Sequence, residues 1–248
     1  MVKGIETFRK YFEKYESQYV LIGGTACDII FESNDTSFRA TRDFDVVLIV
    51  EALTPDFGEK FWKFIHDGKY RNKATNGNKP QFFRFDKPED DSYPKMIELF
   101  CRNNFELREM SGVTPIHIDD TISSLSAILL NDDYYKALLD GRIVTDGLSV
   151  LRPEYLILFK AKAYLDLKQR KDNGEAIDFN DIKKHKKDVL RISAELMLEK
   201  VNMLPATVKS DINRFIDSLE MNPFDSNSLK TYGLKNKDVI EILRSVFE

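Results

Sequence analysis

Apolar residues recur at two different periods along this chain, and the change falls near residue 150. In the first part, Ile5, Phe8, Phe12 and Tyr15 stand at helical spacing and predict a helix over 4–17. Tyr19 to Ile22 follows as a short apolar strand, broken by Gly23-Gly24, after which Thr25 to Phe31 reads as a helix starting at the glycines. Asp43 to Val50 is the next strand, so the order is strand, glycine turn, helix, strand. Pro55 to His66 carries Phe57, Phe61, Trp62, Phe64 and Ile65 and predicts a further helix, followed by a Gly/Asn/Lys-rich loop over 67–80. Strands are expected at 81–86 and 95–102, with shorter ones at 115–118, 126–130 and around 142–145. From Pro153 the pattern becomes helical throughout, with helices expected at 153–171, 178–197, 205–220 and 236–247. The expected fold class is α/β (α+β): a mixed β-sheet flanked by helices in residues 1–150, followed by a helical domain in 151–248.

Against this pattern a few polar residues stand out. Asp43 and Asp45 open an otherwise Val/Leu/Ile-rich run, and alternate side chains of a strand share a face, so the two carboxylates point together. Paired hard oxygens of this kind suit magnesium. A Gly-Gly turn at a helix start lets phosphate approach free backbone N–H groups, and the helix dipole favours the anion, which makes Gly23 and Gly24 candidate phosphate holders, with Thr25 adding a hydroxyl. Glu98 is an acid inside Met96-Ile97-Glu98-Leu99-Phe100-Cys101, where burial without a partner is costly, and a metal or a basic partner is expected beside it. Nucleotidyl transfer needs these parts: a triphosphate holder, metal ions that neutralise the attacking and leaving oxygens, and a carboxylate for the acceptor hydroxyl.

In the helical part, Leu156, Lys160, Ala163 and Leu167 share one stripe, so Lys160 must snorkel out or meet an anion. Lys162 lies off that stripe and reads as a solvated charge. Asp178 and Asp181 share a helix face, and Asp178 also suits a helix N-terminus. His185 reads as a packed histidine. The cluster Lys183, Lys184, Lys186 and Lys187 reads as a solvated face that is also able to meet an RNA backbone.

Composition narrows the classes. The 248 residues are 42% hydrophobic, enough for a real core, and the formal net charge of -4 gives no support to a general nucleic-acid coat. The acidic balance lies in 1–150, with 25 Asp+Glu against 19 Lys+Arg; residues 151–248 have 16 against 18. Two cysteines, Cys27 and Cys101, are too few for a disulfide framework and suit a reducing compartment. His66 and His117 form no zinc pattern. Neither a signal peptide nor a membrane span is apparent, so a cytoplasmic protein without membrane association is expected.

Taken together, the Gly23-Gly24-Thr25 turn, the Asp43-x-Asp45 pair on the next strand and the later acid Glu98 resemble the nucleotidyltransferase superfamily related to DNA polymerase beta. Arg39, Thr41, Asp43 and Asp45, in the form Arg-x-Thr-x-Asp-hydrophobic-Asp, look like the AbiEii/AbiGii abortive-infection toxin group within it. Pro153, Lys160, Ala163, Asp178 and Asp181 fit that group's later order, although Ile177 stands where the group has arginine. The resemblance implies two magnesium ions at Asp43, Asp45 and Glu98, with these three as catalytic residues. It implies NTP as substrate, held by Gly23, Gly24, Thr25 and Lys160, with Asp181 forming the nucleotide pocket or holding the lysine. RNA such as tRNA is the implied acceptor, and an antitoxin protein the implied partner. Two alternatives follow the same residues: a nucleotidyltransferase acting on a small hydroxylated antibiotic, and a catalytically silent nucleotide-binding regulatory protein.

Overall fold

A computed structural model of the chain describes residues 2–41, 43–72, 83–100, 105–109, 112–116, 128–129 and 131–248. They divide into two units, Met1–Leu130 with Arg142–Leu151 and Asn131–Gly141 with Arg152–Glu248.

The first unit is built on a seven-stranded mixed sheet. Its strands are β1 (Tyr19–Ile22), β2 (Asp43–Leu48), β3 (Arg71–Asn72), β4 (Phe83–Asp86), β5 (Met96–Phe100), β8 (Arg142–Thr145) and β9 (Leu148–Leu151), in the order β3-β4-β5-β2-β1-β9-β8. β6 (Phe105–Glu109) and β7 (Gly112–Ile116) form a separate two-stranded pair. β1 and β2 are antiparallel and β2 and β5 parallel, so the two central strands next to the acids run in opposite directions while β2 and β5 place their residues side by side. Alternation then sorts the side chains. Phe44, Val46, Ile97 and Leu99 are buried on one face, and Asp43, Asp45, Met96 and Glu98 stand half-buried on the other.

The apolar face meets helices α1 (Ile5–Phe12) and α3 (Pro55–Asp67) through an aromatic layer. Phe8 touches Phe44 with ring centroids 5.6 Å apart, Phe12 meets Phe64 at 5.3 Å, and Phe61 meets Phe85 at 5.6 Å. α3 starts where the sequence says it should: the Thr54 hydroxyl accepts from the Phe57 N–H and Pro55 occupies the first turn. Between β1 and β2 lies α2 (Gly23–Glu32), which includes the two glycines rather than beginning after them.

In the second unit, α4 (Asp132–Asp140), α5 (Pro153–Asp172), α6 (Phe179–Glu195), α7 (Ala206–Met221), α8 (Ser226–Thr231) and α9 (Asn236–Phe247) bury one another's apolar stripes. Four of these match the expected helices closely. α4 does not fall after the expected boundary, yet it belongs here: the Tyr134 ring meets Phe159 at 5.5 Å, and Asp133 accepts from the Thr207 N–H at 2.9 Å. The expected strand over 126–130 is a further departure, since Ile128 and Leu129 are helical, while the rest of that segment, like Cys101, His117 and much of the 67–80 loop, lies outside the described residues. No helix among the described residues is long and apolar enough to cross a membrane.

Candidate functional site

The site is assembled by strand register. β1 ends at Ile22, which pairs with Asp45, and Asp45 in turn pairs with Glu98 of β5, while Asp43 pairs with Met96. Asp45 and Glu98 are therefore neighbours on adjacent strands, about 5 Å apart at the backbone, and Asp43 lies two residues up the same face. Two acids of one strand and a third from more than fifty residues along the chain share one face of the sheet.

Gly23 turns the chain at this end with φ +64, the left-handed region, and a Cβ there would overlap Asp45 Oδ2. The Asp45 carboxylate thus lies against the glycine turn. Gly24 is needed for space: its added Cβ would meet Thr41 Oγ1 at 2.6 Å. The N-cap residue Ile22 makes no side-chain hydrogen bond to the first turn of α2, and the positive end of that helix lies beside the Asp45 carboxylate. Thr25, expected at phosphate, is fully buried and its hydroxyl donates to the Asp43 carbonyl at 2.6 Å. It ties the helix to the acid strand, a positioning role in place of the expected ligand contact.

Glu98 has found the basic partner that its apolar strand demanded. Arg84 pairs with it across the antiparallel β4–β5 ladder, register partner to register partner. The glutamate side chain is 18% exposed and the arginine 46%, so this pair faces solvent on one side. Among the described residues no group of three or more His, Cys, Asp or Glu side chains is placed to hold a metal ion. The donor chemistry of Asp43 and Asp45 fits a hard cation, whereas Glu98 already has its Oε1 engaged by Arg84.

A cavity of about 420 Å³ is lined by Asp28 of α2, Thr41, Phe38, Lys3 and Lys95. Thr41 is shared between this cavity and the packing of Gly24. Arg39 stacks its guanidinium over the Phe38 ring at 5.3 Å, beside the same cavity wall.

The remaining candidates belong to the second unit. Lys160 meets an anion as its place on the stripe requires, but the anion is Asp188 of α6, with Nζ 2.6 Å from Oδ2 and both side chains at least nine-tenths buried. Asp181, the residue expected to hold the lysine, is exposed in the first turn of α6, and Asp178 caps that helix by accepting from the Asn180 N–H at 2.8 Å. Lys160 is thus committed inside its own helical unit instead of standing free for phosphate. Lys162 is likewise no solvated charge: it bridges Asp166 and Asp211, each at 3.1 Å, and Asp211 also accepts from the Tyr134 hydroxyl at 3.2 Å. Burial opposes the Lys162 charge, but its bonds to Asp166 and Asp211 outweigh that and raise its pKa.

Sequence reasoning missed Arg84 and Asp188. Arg84 was visible as the polar member of Phe83-Arg84-Phe85, and Asp188 as the acid directly before the apolar Val189-Leu190 pair. Neither signal says which charge it meets, because that depends on register and helix pairing.

No family model, curated protein or solved structure matches this chain. The functional reading rests on the residues and their geometry.

Proposed function

We propose that the first unit is a metal-dependent nucleotidyltransferase, moving an NMP from an NTP to an acceptor hydroxyl with release of pyrophosphate, and acting as an AbiEii-like toxin on RNA. The observation that carries the reading is the register that sets Asp45 beside both Glu98 and the Gly23 turn. It juxtaposes an anion-accepting helix start and hard carboxylate oxygens, the two things a triphosphate and its counter-ions require.

Asp43 and Asp45 would hold magnesium, which supplies charge neutralisation at the transferring phosphoryl group. Gly23 and Gly24 would present the start of α2 to the phosphates, with the Asp45 carboxylate and Thr41 packed against them. Thr25 and Thr41 hold that turn against the acid strand. Glu98, oriented by Arg84, accepts the acceptor hydroxyl's proton as that oxygen bonds the α-phosphorus and the bond to the departing pyrophosphate breaks.

The test is direct. Protein supplied with magnesium, each labelled NTP and total RNA should label a discrete RNA band, and Asp43→Ala should abolish the label; equal labelling by Asp43→Ala removes the metal assignment. Label on a small hydroxylated antibiotic in place of RNA would move the acceptor to the drug class. One observation favours a second reading, a catalytically silent nucleotide-binding regulator: Glu98 already has an arginine partner. NTP binding without any labelled product would select it.

A further inference from the structure

The second unit holds a cavity that the proposed reaction does not use. It measures about 830 Å³, within the range of small-molecule sites, and is walled by α5, α6 and the segment joining α7 to α8. Its charge is one-sided: five lysines, Lys168, Lys171, Lys183, Lys186 and Lys187, line it against two acids. Both acids have other work. Asp172 pairs with Lys168 at 2.7 Å, and Asp225 caps α8 by accepting from the Ser228 N–H at 2.9 Å.

Of the other lysines, Lys171, Lys183 and Lys186 are oriented by groups that carry no full charge, while Lys187 lies close enough to Asp225 to feel its charge. Lys183 and Lys171 stand over the Phe179 ring at 4.4 and 5.0 Å, and Lys186 over Phe224 at 5.2 Å. Lys171 also donates to the Ile177 carbonyl at 3.2 Å, and Lys186 to the carbonyls of Asn222 and, at 3.0 Å, Pro223. Carbonyls and ring faces aim an ammonium without neutralising it, so the positive field of the cavity persists. Burial lowers the Lys186 pKa to about 8, which leaves it charged at neutral pH and improved by a nearby anion.

The aromatic content points to more than bare phosphate. Phe179 is 52% exposed, an unusual place for a large apolar ring, while Ile182, Leu190 and Phe224 behind it are buried and give the cavity an apolar floor. An exposed ring among cations is the pairing that binds a base together with its phosphate. We propose that this cavity binds a nucleoside phosphate, with its base against Phe179 and its phosphate among Lys171, Lys183 and Lys187, supplied either as a free nucleotide or as one unit of single-stranded RNA. The assignment does not depend on the reaction proposed for the first unit.

The full chain, kept in EDTA so that the acid site is not engaged, is titrated with AMP, with ATP and with a single strand of roughly 12 ribonucleotides. At least one probe should saturate, and Phe179→Ala and the pair Lys183→Glu/Lys187→Glu should each weaken it about tenfold or more, while Lys237→Glu, at an exposed lysine outside the cavity, binds as the parent does. Binding of AMP or ATP as tight as that of the strand assigns free nucleotide. Binding of the strand alone, with a salt slope of about -0.7 per phosphate contacted, assigns RNA. Absence of binding by all three probes, or binding unchanged in both cavity variants, overturns the proposal, and so does an equal loss in Lys237→Glu. Lysine acetylation of the unmodified protein gives a second reading that needs no variant: the saturating probe should shield Lys183 and Lys187 but not Lys237, and equal shielding of all three also overturns it. Failure of NMP transfer with this binding intact would remove the enzymatic reading and leave the cavity site standing.

Discussion

Glu98 in the sheet and Lys160 in the helical unit are the same anomaly in two settings, a charge placed in an apolar run, and the protein resolves them differently. Lys160 and Asp188 are sealed together, with side chains 7% and 3% exposed, whereas Glu98 meets an arginine that is 46% exposed. A sealed pair has no side from which a ligand can compete, and breaking it leaves a bare charge in low dielectric. A half-open pair can exchange its partner at modest cost, because water and an incoming ion are both within reach. This difference leaves the Glu98 pair accessible to a competing ion, as the proposed function requires, and the Lys160 pair closed to one.

The largest effect expected from this contrast is at the sealed pair. Lys160→Met should cost about 3–5 kcal/mol in chemical denaturation by stranding Asp188, and adding Asp188→Leu should recover most of the loss. A Lys160→Met variant of parental stability would mean that the pair is not closed as described. At the acid site, Gly23→Ala must place a side chain at φ +64 against the Asp45 carboxylate. It should lower stability by roughly 1–2 kcal/mol and reduce labelling of the acceptor more than tenfold by displacing Asp45. Full activity in Gly23→Ala would separate Asp45 from catalysis. The smallest effect belongs to the open pair: Arg84→Ala should change stability by about 0–1 kcal/mol, while magnesium should raise the melting temperature of this variant more than that of the parent. A loss at Arg84 as large as that at Lys160 would erase the distinction between the two pairs.

Element boundaries followed the sequence well where periodicity was strong. The helices starting at Pro55, Pro153 and Asn236 and the strand Tyr19–Ile22 lie where apolar spacing, proline and capping residues put them, because those are local properties of the chain. Local signals failed at α4, whose short stretch carries Tyr134 and Tyr135 without a long stripe, and whose membership in the helical unit is decided by Phe159, Thr207 and Asp211, far along the chain.

The candidate site divides in the same way. By itself the sequence determined that Asp43 and Asp45 share a face, that a glycine turn precedes them, and that Glu98 and Lys160 needed partners, since alternation, φ freedom and the cost of burying charge are all readable from residue type and spacing. Only the tertiary structure decided that Glu98 stands beside Asp45, that Arg84 answers it, that Asp188 and not Asp181 answers Lys160, and that the Thr25 hydroxyl is spent on the Asp43 carbonyl. Strand register and helix pairing make those choices, and both are set by packing the whole apolar surface at once, so no short stretch of sequence carries them.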